Sequence, residues 1–174
     1  MNDALVSAEA REAALYQRLD ELSIRYTTHA HAPVFTVGES AAILDQLVGG
    51  HTKNLFLKDK KAGLWLAVVQ AHRRVDLNAL AKQLQAPRFS FGSAELLVAT
   101  LGITPGSVTP FALMNDPEHK VRVVLDQEML ALTPLNFHPL RNDRTTAIAP
   151  SDLVAFVKAC GHTPIIATIP EMVV

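Results

Sequence analysis

The sequence predicts an α+β fold built on a curled mixed or antiparallel central sheet of about seven strands, surrounded by about four or five helices. Three observations carry that reading. Residues 55–57 and 64–69 are apolar runs flanking Lys58-Asp59-Lys60-Lys61-Ala62-Gly63, whose Asp, Lys and Gly suit the turn of a β-hairpin. Both arms are apolar at consecutive positions, so the hairpin is expected in the middle of the fold with both faces covered. Elsewhere strand and helix patterns interleave irregularly, without the βαβα alternation of a doubly wound sheet.

The elements follow in order. Residues 8–22 read as an amphipathic helix, because Leu15, Leu19 and Leu22 fall at helical spacing while Glu9, Arg11, Glu12, Arg18 and Glu21 take other faces. Residues 24–31 look extended, with Ile24, Tyr26 and Thr28 alternating with Arg25, Thr27 and His29, and Pro33 ends regular pairing. Thr36 and Glu39 have capping-box spacing, which predicts a short helix over 37–47 closed by Gly49 and Gly50. Beyond the hairpin, Asp76 is the expected cap of a helix with Leu77, Leu80 and Leu84 as its buried stripe and Pro87 as its stop. Residues 88–91 form a short strand pattern with Phe89 and Phe91 on one face. Ser93 is read as the cap of a helix ending at Gly102.

Next, Thr104-Pro105-Gly106-Ser107-Val108-Thr109-Pro110 makes a stiff loop, either a plain turn or a set of free amides presented to a ligand. Residues 111–115 and 121–126 read as a second hairpin around Asp116-Pro117-Glu118, with Val121, Val123 and Leu125 sharing a face. Strand patterns at 135–138 and 145–149 stop at Pro139 and Pro150. Ser151 is the expected cap of a last helix, with Leu153, Phe156, Val157 and Cys160 as its stripe and Gly161 as its end, and 163–169 reads as a closing strand.

Composition narrows the function classes. A chain of 174 residues with 49% apolar and 19% charged residues fits one globular domain, residues 1–174, that buries about two thirds of its unfolded surface. The only cysteine, Cys160, excludes an internal disulfide and a multi-cysteine zinc cluster, and its place on an apolar stripe suits a core residue better than a nucleophile. The start lacks the basic and apolar regions of a signal peptide and no run has membrane-spanning length, so no membrane partner and a cytoplasmic location are expected. Sixteen basic residues against seventeen acidic ones leave a net charge of −1, so any contact with RNA must be local. The basic groups open to it are Lys58, Lys60 and Lys61 at the hairpin tip, Arg73 and Arg74, Arg88, and Arg141 with Arg144; each is otherwise an ordinary solvated charge.

Lys53 stands apart, because it enters the first buried strand beside Asn54. An ammonium at a core margin either snorkels to water or holds an anionic or carbonyl partner. His29 and His31 share one face of a strand, yet no acidic residue or cysteine stands at ligand spacing beside them, so no metal or other cofactor is expected. No Gly-x-Ser-x-Gly elbow, phosphate-binding P-loop, dinucleotide fingerprint or His-Glu-x-x-His is present. The remaining polar groups, the Lys53-Asn54 pair, the Gly106 loop and His138-Pro139, suit binding and polarising a phosphate or carbonyl.

On those residues the chain resembles the YbaK and prolyl-tRNA synthetase insertion-domain family of trans-editing deacylases, and within it the free-standing alanyl-tRNA(Pro) deacylases. The matching pieces are Pro33-Val34-Phe35-Thr36-Val37, the stretch from Lys53-Asn54-Leu55-Phe56-Leu57 through Lys58-Asp59-Lys60-Lys61, Gly106-x-x-x-Pro110, and Phe137-His138-Pro139 followed by Asn142. The resemblance implies a curled mixed sheet with surrounding helices, and metal-independent hydrolysis of the aminoacyl ester at the 3′ end of mischarged tRNA. It implies that Lys53 holds the terminal phosphate and ribose, that Asn54 orients the ester or the attacking water, and that Gly106 with Ser107 and Pro110 supplies contacts to the reacting carbonyl. His138 would border the aminoacyl pocket, whose walls would be Thr28, Val37 and Phe137. A proline-shaped synthetase site rejects alanine weakly, since missing methylenes are worth about 1–3 kcal/mol, whereas a second pocket too small for proline discriminates by volume. The implied partners are the acceptor end of tRNA(Pro) and prolyl-tRNA synthetase, with Lys58, Lys60, Lys61, Arg73, Arg74 and Arg88 against the tRNA. Cys-tRNA(Pro) or another aminoacyl-tRNA as substrate, and a non-catalytic tRNA-end or synthetase-binding module, are the alternatives.

Overall fold

The computed structural model describes residues 6–35 and 46–173. Eight strands are found among them: β1 (Thr27–Ala30), β2 (Gly50–Asp59), β3 (Leu64–Gln70), β4 (Phe89–Phe91), β5 (Val121–Asp126), β6 (Leu135–Phe137), β7 (Arg144–Ile148) and β8 (Ile165–Ala167). They form one mixed sheet in the order β1-β7-β6-β2-β3-β5-β8, with β4 added beside β2. The contacts β2–β6, β3–β5 and β5–β8 are parallel and the others antiparallel. The α+β class with a mixed central sheet is therefore the observed one.

The hairpin lies at the centre, as its unbroken apolar arms require. β2 and β3 pair from Thr52 with Gln70 to Lys58 with Leu64. Phe56, Leu66 and Val68 enter one apolar cluster, while Leu57, Trp65, Ala67 and Val69 enter another on the opposite face. Successive strand residues point to opposite faces, so a strand covered on both sides must be apolar at every step.

Four α-helices lie among the described residues: α1 (Ala8–Glu21), α2 (Leu77–Gln83), α3 (Ala94–Leu101) and α4 (Pro150–Ala159). Ser7, Asp76 and Ser93 accept the amides of Ala10, Ala79 and Leu96 at 3.2, 3.0 and 3.1 Å, satisfying donors that the first helical turn leaves free. Gly102 ends α3 in the left-handed conformation. Leu15, Leu19, Leu97, Leu101, Leu153, Phe156 and Val157 carry α1, α3 and α4 onto the larger cluster, and Leu80 carries α2 onto the smaller one.

Two expectations are corrected. Residues 111–115 belong to a 3-10 helix, Pro110–Asn115, rather than to a hairpin arm. Pro110 at its start has no N–H for a ladder, and Thr109 caps the turn by accepting the amide of Phe111 at 3.3 Å. Strand β5 instead finds its partners at long range, parallel to β3 and β8. The last helix begins with Pro150 at its first position and Ala149 as an unassisted cap, so Ser151 is inside it. Phe91 shares a strand face with Phe89 but is exposed while Phe89 is buried, because β4 ends there. The helix expected over 37–47 lies mostly outside the described residues.

Phe111 is fully buried and packs edge-on against Phe137 at 5.8 Å and Phe156 at 5.5 Å, joining the 3-10 helix, β6 and α4. Phe111→Ala is expected to cost about 3–5 kcal/mol of unfolding free energy at unchanged denaturant slope. Urea titration checks this, and a loss under about 1 kcal/mol would mean the site collapses freely around the gap.

Candidate functional site

The site grows from a break in the pairing of β2. On one edge β2 meets β6 only at Gly50 and His51, and β4 only at residues 57–59. Between them Thr52 donates its hydroxyl to the Asn136 carbonyl at 2.6 Å and the amide of Gly92 donates to the Phe56 carbonyl at 3.0 Å. Residues 53–55 have no described strand on that edge. Lys53 and Asn54 occupy this opening.

Strand alternation sends their side chains to opposite faces. Asn54 is paired with Val68 and shares the face of Phe56, on the side of the larger cluster. Its Nδ2 donates to the Val108 carbonyl at 3.1 Å, while its buried Oδ1 meets no donor among the described residues. Lys53 shares the face of Leu55 and Leu57, and its ammonium donates to the Arg73 carbonyl. Burial lowers the Lys53 ammonium below the ordinary lysine value. Of the two sequence readings for this lysine, the structure has the one with a carbonyl partner.

The 104–110 loop faces the same opening. Gly106 sits at φ +90°, where an added Cβ would lie 3.5 Å from the Val34 carbonyl oxygen, so the backbone angle rather than space demands glycine. Asn142 Nδ2 donates to that Val34 carbonyl at 2.9 Å, and the Val34 amide donates to the Asn142 carbonyl at 3.2 Å. The 31–35 segment and the 138–143 loop are thereby tied together, and Gly106 lies against both. Ser107 and Pro110 are buried in the loop.

His138 hydrogen-bonds through Nδ1 to the Arg144 carbonyl at 2.9 Å and lies 6.2 Å, ring to ring, from His31. Burial lowers its value below that of a free imidazole, the Arg144 carbonyl pulls the other way and the charge of His31 lowers it again. His31 Nε2 meets the Thr145 hydroxyl at 2.8 Å, so His31, Thr145 and His138 share one face of β7 and its neighbours. Among the described residues no three His, Cys, Asp or Glu side chains are placed to hold one metal ion.

Residues 31–156 match the family described as the aminoacyl-tRNA editing domain. The chain belongs to that family. This editing domain is 42% identical over 167 residues to "Prolyl-tRNA synthetase associated domain-containing protein 1" of Bos taurus, covering 93% of the chain and 96% of the relative. It is 35% identical over 156 residues to "Prolyl-tRNA editing protein ProX" of Acetoanaerobium sticklandii, covering 89% and 94%. Among solved structures it overlays on a protein described as a candidate trans-editing enzyme for prolyl tRNA synthetase with TM-score 0.70 at 19% identity, covering 97% of the chain and all of that one. That likeness supports the same fold.

The remaining residues named from the sequence fall in three places in the editing domain. Phe137 is buried in the larger cluster, and Thr28 hydrogen-bonds to Tyr16 at 2.7 Å and to Thr146 at 2.9 Å on that same face. Val37 lies outside the described residues. Lys58, Lys60, Lys61 and Arg88 are exposed at the hairpin tip, where Asp59 pairs with Phe89 and so brings Arg88 alongside. Arg74 is exposed at the other end of β3.

Arg73 and Arg141 are the corrections: the Arg73 side chain is 8% exposed and forms ion pairs with Asp126, Glu128 and Glu171, and the Arg141 side chain is 11% exposed and pairs with Asp143 and Glu12, so neither is a solvated surface charge. The place of His31 beside His138 is not legible in the sequence. The spacing of two residues from His29 cannot report a partner more than 100 positions away. Cys160 is partly buried at the end of α4, and burial pushes its thiol up to about 11, which leaves little thiolate.

A lowered folded-state value at His138 means that the unfolded chain takes up this proton more readily. His138 therefore contributes stability above the unfolded value near 6.5, and that contribution is lost as pH falls through the folded value. His138→Gln is expected to flatten the fall in unfolding free energy below about pH 6.5. Urea titrations of both proteins across that window check it, and equal slopes would mean that charging the ring costs the fold nothing.

Proposed function

We propose that this chain is a single trans-editing domain that hydrolyses the aminoacyl ester of mischarged Ala-tRNA(Pro) in the cytoplasm by a metal-independent route. The observation that carries the reading is Asn54. Among the described residues its buried Oδ1 meets no donor, and leaving such an oxygen unpaired costs about 1–3 kcal/mol, which a donor supplied by the substrate would offset. Its Nδ2 is held on the Gly106 loop, so the oxygen is oriented before substrate arrives. A ribose hydroxyl or the attacking water would complete it.

The other groups take roles that their positions support. An ammonium has three N–H donors, and Lys53 uses one on the Arg73 carbonyl, leaving two for the terminal phosphate and ribose of the 3′ adenosine. Amides of the Gly106 loop, with Ser107 and Pro110 shaping it, face the carbonyl oxygen on which charge develops. His138, neutral near pH 7, borders the amino acid and positions its amine or the ribose. Thr28, Val37 and Phe137 limit the pocket to a small side chain, so that prolyl esters are spared by volume.

Lys58, Lys60, Lys61 and Arg88 lie at the far end of the hairpin from Lys53, about 20 Å away at the rise of a strand. That separation suits phosphates further along the acceptor stem, with Arg74 closer to the 3′ end. The family match and the relatives named for prolyl-tRNA editing and for association with prolyl-tRNA synthetase favour tRNA(Pro) and the synthetase as partners.

Incubation with tRNA(Pro) charged separately with alanine, cysteine, serine and proline is expected to shorten the half-life of the alanyl ester most and leave the prolyl ester intact, with and without chelator. Preference for the cysteinyl ester would reassign the substrate, and four unchanged half-lives would leave a tRNA-end binding module. Lys53→Ala and Asn54→Ala are each expected to lower kcat/KM by about 100-fold with little change in Tm. Full activity in either variant would remove that residue from the site.

A further inference from the structure

Lys53 does not hold its place by itself. Its ammonium meets the peptide carbonyl of Arg73, in the turn that follows β3, and the position of that carbonyl is set from several directions at once. The Arg73 amide donates to the Gln70 carbonyl at 3.1 Å, and the Ala71 amide donates to the His51 carbonyl at 2.8 Å, two residues ahead of Lys53 on β2. The Arg73 guanidinium turns inward. Its Nε meets Asp126 at 2.7 Å, Nη1 meets Glu171 at 3.1 Å and Nη2 meets Glu128.

Asp126 is fully buried and also accepts the Gln70 amide at 3.2 Å and the Glu128 amide at 3.0 Å, so it keys together the ends of β3 and β5. The segment bearing Glu171 is laid along the same turn. Asp76 donates its amide to the Pro170 carbonyl at 2.9 Å, Met172 donates to the Arg74 carbonyl at 2.8 Å, and Val75 bridges Glu171. Glu171 lies beyond residues 31–156, the part of the chain that the family match spans.

One carboxylate would neutralise one guanidinium. Three, arranged around a planar fork that can meet several acceptors at defined angles, do more than neutralise: they immobilise the residue. We propose that Arg73 is a positioning residue for Lys53, and that Glu171, reaching back from the end of the chain, completes the clamp that fixes the Arg73 carbonyl under the ammonium. This rests on the role proposed above for Lys53. The clamp holds one N–H of the ammonium so that the other two project at set angles toward the phosphate and ribose. Loosening the carbonyl would let the ammonium swing, and displacement of a binding group by about 1 Å can cost up to about 100-fold in rate.

The test follows the lysine directly. Lysine labelled with carbon-13 at Cε gives a resonance for Lys53, assigned by its loss in Lys53→Arg, whose titration reports the surroundings of the ammonium with or without any substrate. Glu171 is about half exposed, so Glu171→Ala spares the core. Arg73→Lys keeps the charge without the fork. In both variants the Lys53 signal is expected to move, with its titration midpoint shifted upward toward that of a solvated lysine. Single-turnover hydrolysis of Ala-tRNA(Pro) is expected to slow about tenfold.

Leu153→Ala, in the other cluster, is the control: it should lower Tm and leave the Lys53 signal in place. An unmoved Lys53 signal in both clamp variants, or an equal movement in Leu153→Ala, would overturn the proposal. A signal that responds to Glu171→Ala in a protein that hydrolyses none of the esters would support the clamp and count against the reaction assigned to the site.

Discussion

Everything at the site depends on the alternation of β2. A strand has two faces, and this one crosses the middle of the sheet with an apolar cluster on each. At its open stretch, between the short contacts with β6 and β4, the two polar residues Lys53 and Asn54 are forced to opposite sides. Asn54 goes to the Gly106 loop and Lys53 to the turn after β3. A shift of one residue in the pairing of β2 with β3 would exchange the two and bury the ammonium in the larger cluster. The Phe56, Leu66 and Val68 side chains on one face and Leu57, Trp65 and Val69 on the other oppose such a slip.

Three buried aspartates do comparable work at strand ends. Asp59 accepts the amides of Lys61 and Gly63 and the indole N–H of Trp65; Asp116 accepts the amides of Lys120 and Val121 and is joined by His162; Asp126 accepts the amides of Gln70 and Glu128 and is joined by Arg73. Each turn is thus cross-linked to a further side chain, Trp65 from the adjoining strand for Asp59, and His162 and Arg73 from distant parts of the chain for Asp116 and Asp126. For Asp59, burial pushes the carboxyl up, but the indole and the two amides outweigh it and hold the group below the usual carboxylate range. For Asp116, burial is again outweighed, here by His162 and the amides of Val121 and Lys120. Buried charge is tolerated in these places because it is fully hydrogen-bonded.

Much of this was legible from local pattern. Asp76 and Ser93 are caps because a short side-chain oxygen two or three residues ahead of a free amide is a property of adjacent residues, and Gly102 ends α3 for the same kind of reason; the cap at Ser7 was not among those expected. The hairpin and its central place followed from two consecutive apolar runs. What escaped were features decided at long range. Phe111 carries the composition of a strand, yet it lies in a 3-10 helix because β5 is claimed by β3 and β8 on either side. Arg73 looked like half of a basic surface pair, and only folding reveals Asp126, Glu128 and Glu171 around it.

The sequence by itself determined the α+β class, the central hairpin, the helix N-caps at Asp76 and Ser93, and the presence of Lys53, Asn54, Gly106 and His138 as polar or conformationally special residues in otherwise apolar surroundings. Those properties are short-range: they need only spacing, side-chain chemistry and the two faces of a strand. Only the tertiary structure decided that Asn54 meets the Gly106 loop, that His31 stands beside His138, and that Lys53 rests on a carbonyl held through Arg73 by a residue nearly a hundred positions later. Such contacts come from parallel pairing and chain crossings, whose partners are chosen by the packing of the whole sheet and leave no local mark on the residues involved.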